Sequence, residues 1–215
     1  DQSKMSDREA LTYAPPPSVT EGTTVSYSTD GGANWTATAP SITHVSESPL
    51  TVRAKAENSN YPTAECEYTL PITCRNVTLT SGTDTKTYDG SELTNETVSV
   101  TGSGWVRGKG PTYGNFAGIT NVGSVENTFE YTLASGESAT DYCVETVNGT
   151  LTVTCKSVII TANSNSKPFD GTPLTEDGFT ATALETGDSH VFMVTMTAAS
   201  THTNEGTGDN VIGTA

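Results

Sequence analysis

Positive charge is scarce in this chain of 215 residues: ten Lys and Arg stand against 25 Asp and Glu, a formal net charge of −15. A negative field spread along the whole sequence repels phosphate, so nucleic acid and anionic membrane surfaces are poor candidate partners, while solubility at high local density is favoured. Long apolar runs are missing as well, and with no stretch of 18 or more such residues the sequence predicts no membrane insertion. The opening DQSKMSDREA is charged and lacks an apolar h-region, so it reads as the interior of a longer protein and as neither a signal peptide nor an anchor.

Cysteine is sparse too. Four in the whole chain are too few for a disulfide-dense miniprotein, and without a CxxC pair or a neighbouring His no zinc site, and no metal of any kind, is expected. The three histidines, His44, His190 and His202, stand in unrelated contexts beside no nucleophile motif. No nucleotide or dinucleotide fingerprint appears, so no cofactor is expected and the chain reads as a non-enzyme. With 33% hydrophobic residues and little Leu, Ala, Glu or Lys periodicity, long amphipathic helices are excluded. The nearest thing to a helix is one turn's worth of helix formers at 6–11, ahead of Pro15, Pro16 and Pro17.

What the chain does have is Thr, Ser, Gly and Asn arranged around short alternating segments. Val25-Ser-Tyr27, Leu50-Thr-Val52-Arg-Ala54, Val77-Thr-Leu79, Val98-Ser-Val100, Phe129-Glu-Tyr131-Thr-Leu133 and Leu151-Thr-Val153 each show period two, the mark of half-buried strands. Asp30-Gly31-Gly32, Asp89-Gly90, Asn148-Gly149 and Asp170-Gly171 separate them with residues that tolerate positive φ. The Asn148-Gly149 pair predicts a hairpin between YCVETV and TLTVTC.

These segments recur. VTLTSGTDTKTYDG at 77–90 matches VIITANSNSKPFDG at 158–171, and Lys86 and Lys167, Asp89 and Asp170, and Cys74 and Cys155 each lie 81 residues apart. TNVGSVEN at 120–127 matches TNEGTGDN at 203–210 with an offset of 83, a two-residue loop insertion. The first segment shares the ending, YTLPITC against GTLTVTC, and matches more loosely through YSTDGGANW, PSITHV and NSNYPTAECEYTLPIT. The spacing places a first module at 1–73, with a lead-in before about residue 11, a complete second module at 74–154 and a third at 155–215. The third has no counterpart of DYCVETVNGTLTVT, which predicts unpaired backbone and a partly open core.

At the opening VTLT strand, the K-x-Y/F-D-G-x-x-L-T segment, the T-N-x-G turn and the closing G-T-L-T-V-T, the chain resembles the tandem MBG and YDG-type repeats of bacterial surface and adhesin-like proteins. The resemblance implies an all-β protein of small β-sandwich-like modules, Ig-like or related, arranged as an elongated rod. It further implies an extracellular location at the cell surface or cell wall of a bacterium, and a role as stalk, spacer or adhesion module. Two alternatives belong to other classes: a carbohydrate- or host-protein-binding module, and an accessory region of a secreted glycoside hydrolase.

Individual candidates follow from local chemistry. Ser28-Thr-Asp30-Gly-Gly32-Ala-Asn-Trp35 fits the Asp-box pattern, a hairpin device in which Asp caps turn amides and Trp packs beneath. A single copy cannot make a propeller. Asp89-Gly90 and Asp170-Gly171 read as turns and not as metal or acid–base carboxylates. Trp105, Tyr113 and Phe116 form the best candidate binding surface, for a glycan or a host surface protein, against the plainer reading that they pack a core. Cys143 and Cys155 flank the expected hairpin, which predicts that they pair. Cys66 with Cys74 is the second candidate pair, although eight residues along one extended strand would hold those two apart. The chain is expected to be a monomer.

Overall fold

A computed structural model describes residues 3–13 and 20–215; the Pro15–17 stop therefore lies outside the described residues. The protein is predominantly β: its only helices among the described residues are four three-residue 3-10 turns. The segment at 6–11 is not one of them, because Arg8 takes a φ of 65° and Leu11 enters a short strand, Leu11–Thr12.

Two compact units divide the chain. The first contains 1–84, 94–118 and 125–151; the second contains 85–93, 119–124 and 152–215. In the first unit an antiparallel sheet places Leu50–Asn58 between Thr24–Ser28 and Tyr61–Leu70. Alternation puts Val52 and Ala54 on one face, where they join Tyr27, Ile42, Leu70 and Ile72 in a buried cluster. Tyr13 stacks on Tyr68 at its margin, ring centroids 3.6 Å apart.

A second sheet in the same unit is mixed. Arg75–Ser81 lies between Val98–Gly102, antiparallel, and Tyr142–Val147, parallel. Val77 and Leu79 point inward and meet Val106 and Tyr142 in a second cluster. Val100, opposite Leu79 but on an edge strand, remains 39% exposed.

The parallel pairing corrects the expected hairpin. Tyr142–Val147 and the next strand, Gly149–Thr154, do not turn back on each other but belong to different sheets, so Asn148-Gly149 is a crossover. Gly149 has no positive φ. Its requirement is space: a Cβ there would stand 2.4 Å from the Gly82 carbonyl oxygen, closer than any side chain tolerates.

In the second unit, Ile160–Ala162 pairs with Phe179–Ala181 in the register Ile160 with Ala181 and Ala162 with Phe179. The equivalent residues of the preceding repeat, Leu79 with Val100 and Ser81 with Val98, pair in the same way. The two strand pairs thus share one register across the 81-residue offset. The interior is not reproduced: among the described residues after Val153, none is buried.

Candidate functional site

The recurring polar residues build the same two devices in each repeat. Lys86 Nζ reaches Asp89 Oδ1 at 2.7 Å and Ser91 Oγ at 2.7 Å, and the Ser91 amide donates to the same carboxylate oxygen at 2.9 Å. Lys167 does likewise with Asp170 Oδ1 at 2.8 Å and with Thr172 Oγ1, and the Thr172 amide donates to Asp170 at 2.9 Å. Gly90 and Gly171 complete the turns at φ 77° and 78°, a region open to glycine at little cost. The sequence expectation that Asp89 and Asp170 are turn residues is what the geometry displays. Lys86 and Lys167 are held by these carboxylates, each through an ordinary ion pair.

The second device went unnoticed in the sequence. Asn127, fully buried, donates from Nδ2 to the carbonyls of Gly82 at 2.9 Å and Asn95 at 2.8 Å. Asn210, 83 residues on, donates to Asn163 at 2.8 Å and Glu176 at 2.9 Å. Each side-chain amide thus satisfies two main-chain carbonyls that lack a ladder partner. Both asparagines end the matched TNVGSVEN and TNEGTGDN segments, so the repeat alone could have singled them out.

Hydrogen bonds from Lys86 and from the Ser91 amide and hydroxyl hold the Asp89 carboxyl well below the usual carboxylate range; Lys167 and Thr172 do the same for Asp170. A folded-state pKa depressed in this way contributes stability above the unfolded value of about 3.9, and that contribution is lost as pH falls through the folded value. At about pH 3 the Asp89 and Asp170 carboxyl carbons should still give the ionised NMR shift, while those of an unstructured peptide of the same sequence are largely protonated.

The Asp-box segment is the hairpin device expected of it. Asp30 Oδ1 accepts from Ser28 Oγ at 2.6 Å and from the Asn34 amide at 3.0 Å, and Trp35 Nε1 donates to the Gly32 carbonyl at 2.9 Å. Gly31 and Gly32 take φ values of 75° and 100°. Lys55 lies 4.7 Å above the Trp35 ring, a cation–π contact across the strand.

The aromatic trio does not form an outward platform. Trp105, Tyr113 and Phe116 are each half-buried. Trp105 packs on Tyr142 with centroids 4.8 Å apart, while Tyr113 and Phe116 converge on Phe129 at 6.1 and 5.9 Å. Trp105 and Tyr113 lie against the buried cluster of the second repeat, so the core-packing alternative describes them. The reason is that GSGWVRGKG, with positive φ at Gly102, Gly104 and Gly108, curls and turns its indole inward.

The disulfide pairing requires correction. Cys74 is bonded to Cys143, with Cα atoms 5.5 Å apart, whereas Cys66 and Cys155 are free and exposed. The parallel strand accounts for this, because Cys143 sits opposite Asn76 in register and so comes near Cys74, the residue immediately before Arg75–Ser81. Cys155 lies beyond the crossover. Cys66 lies on the long strand Tyr61–Leu70, eight residues before Cys74, which stands outside that strand beyond Ile72–Thr73.

One polar cluster joins the first and second repeats inside the first unit. The buried Asp141 carboxylate is 2.6 Å from His44 Nδ1 and accepts the Val45 amide at 2.8 Å. Arg75 donates to the carbonyls of Ser6 at 3.2 Å and Gly104 at 3.1 Å. Arg8 pairs with Glu137 at 3.4 Å. No sequence signal pointed to His44 and Asp141, which lie 97 residues apart.

Among the described residues, no group of three or more His, Cys, Asp or Glu is placed to share a metal ion. Searches against protein-family models, curated proteins and solved structures give no match to this chain.

Proposed function

We propose that this chain is a non-catalytic repeat region of a secreted bacterial surface protein, a stalk or spacer of tandem β-sandwich-like modules of the MBG and YDG kind, set in an elongated rod outside the cell. The observation that carries the reading is the use made of the recurring residues. Lys, Asp, Gly and Asn recur at the repeat spacing, and in both repeats they tie turns and carbonyls of their own module.

Two further observations support a spacer. The first junction is tied by Asp141, Arg75 and Arg8, and in the second unit Tyr88 donates to Asp188 at 3.0 Å. A disulfide closing a long loop suits an oxidising, extracellular compartment. The inward packing of Trp105, Tyr113 and Phe116 weighs against a carbohydrate-stacking role. Small-angle scattering of the monomer should return a maximum dimension several times its cross-section. A compact, near-spherical particle would overturn the spacer reading.

A further inference from the structure

The third repeat carries the framework of the second without its filling. Within the second unit, 152–154 lies between two flanks. On one side the Tyr88 amide donates to the Thr154 carbonyl at 2.8 Å and Thr154 Oγ1 donates to the Lys86 carbonyl at 3.3 Å; on the other, Ser124 Oγ is 3.0 Å from Thr152 Oγ1. Leu151 and Val153, alternating along this strand, are fully buried. The counterparts of the two flanks are 167–169 and Thr207. Between them the third repeat has a cavity of about 450 Å³, lined by Lys167, Phe169, Leu174, His202, Thr207 and Asn210 among others. His202 Nε2 is buried there without a hydrogen-bond partner among the described residues.

The adjoining edge is open in the same sense. Arg75–Ser81 is covered on one side by Tyr142–Val147, but its counterpart at 156–162 pairs, among the described residues, only through Ile160–Ala162 with Phe179–Ala181. Val158 and Ile160 are half-buried where Val77 and Leu79 are fully buried. Cys155 is free and exposed at the position where Cys74 is bonded to Cys143.

We propose that this groove and edge accept an extended ribbon of the type that closes the second repeat, with a cysteine in its second strand position that bonds to Cys155. Ladder hydrogen bonds along the open edge supply affinity, and alternate apolar side chains entering the cavity fix register. The occupant is not a second copy of these 215 residues, because each copy has a single such ribbon, at 141–154, and it is held in its own second repeat by the Cys74–Cys143 bond. The covalent step is thiol–disulfide exchange with an incoming cysteine that arrives as a mixed disulfide. The Cys155 thiolate attacks the ribbon sulfur, that sulfur's bond to its leaving thiolate breaks, and the Cys155 proton passes to solvent. This inference does not rest on the spacer reading.

The probe is a synthetic peptide, DYCVETVNGTLTVT, whose cysteine carries thionitrobenzoate, added to the intact chain. Peptide mapping should find it on Cys155 at least tenfold faster than on Cys66, the other exposed thiol, and a scrambled peptide should show no such preference. A Cys-to-Ser version of the peptide should slow amide exchange at 156–162 and 167–169. Equal labelling of the two cysteines, unchanged exchange at both stretches, or self-association of the chain through this edge would each overturn the proposal.

Discussion

Replacing Cys74 and Cys143 together by serine should lower the stability of the first unit by about 4 kcal/mol, the loop-closure contribution expected for a bridge of this span. The bond closes 69 residues of chain, and opening it restores that freedom to the unfolded ensemble. For a unit of this size the midpoint of thermal unfolding should fall by roughly 10 °C. The comparable Cys66→Ser and Cys155→Ser changes, at exposed free thiols, should leave it within about 1 °C. Calorimetry of the three variants checks the ranking, and thiol titration of the denatured, unreduced wild type should count two free thiols, those of Cys66 and Cys155. A result in which Cys155→Ser is the costly change would restore the local Cys143–Cys155 pairing.

Leu79→Ala should cost about 3 kcal/mol, because its fully buried side chain leaves a cavity among Val77, Val106 and Tyr142 that a rigid mixed sheet cannot collapse. Ile160→Ala, at the equivalent position 81 residues later, should cost no more than about 1 kcal/mol, since that side chain is only half-buried. Denaturant unfolding of both variants reads the contrast directly. Equal losses would mean that the third repeat closes a core of its own.

Strand positions were legible where pattern and burial obey the same period. Val52 and Ala54, Val77 and Leu79, and Leu151 and Val153 alternate in sequence and are buried, because one face of each strand has to meet a core. The Asp-Gly turns and the Asp-box were legible for a different reason, that their hydrogen bonds reach no further than about five residues. Long-range pairing was not. Nothing local distinguishes a Tyr142–Val147 strand that turns back from one that crosses to lie parallel with Arg75–Ser81, and the cysteine connectivity followed from that single choice. Asn148-Gly149 misled because glycine serves two needs, positive φ and close approach, and only the second applies there. The aromatic trio was ambiguous in the same way, since a ring that can stack on a ligand can equally fill a core.

The placement of the bridge has a mechanical consequence. A pull transmitted along the backbone enters the second repeat at Cys74 and passes straight to Cys143, so the residues between are shielded from tension. Roughly 230 Å of extensible length, at 3.3 to 3.6 Å per residue, is kept in reserve until the sulfurs are reduced. The third repeat, with its lone thiol at Cys155, has no such shunt.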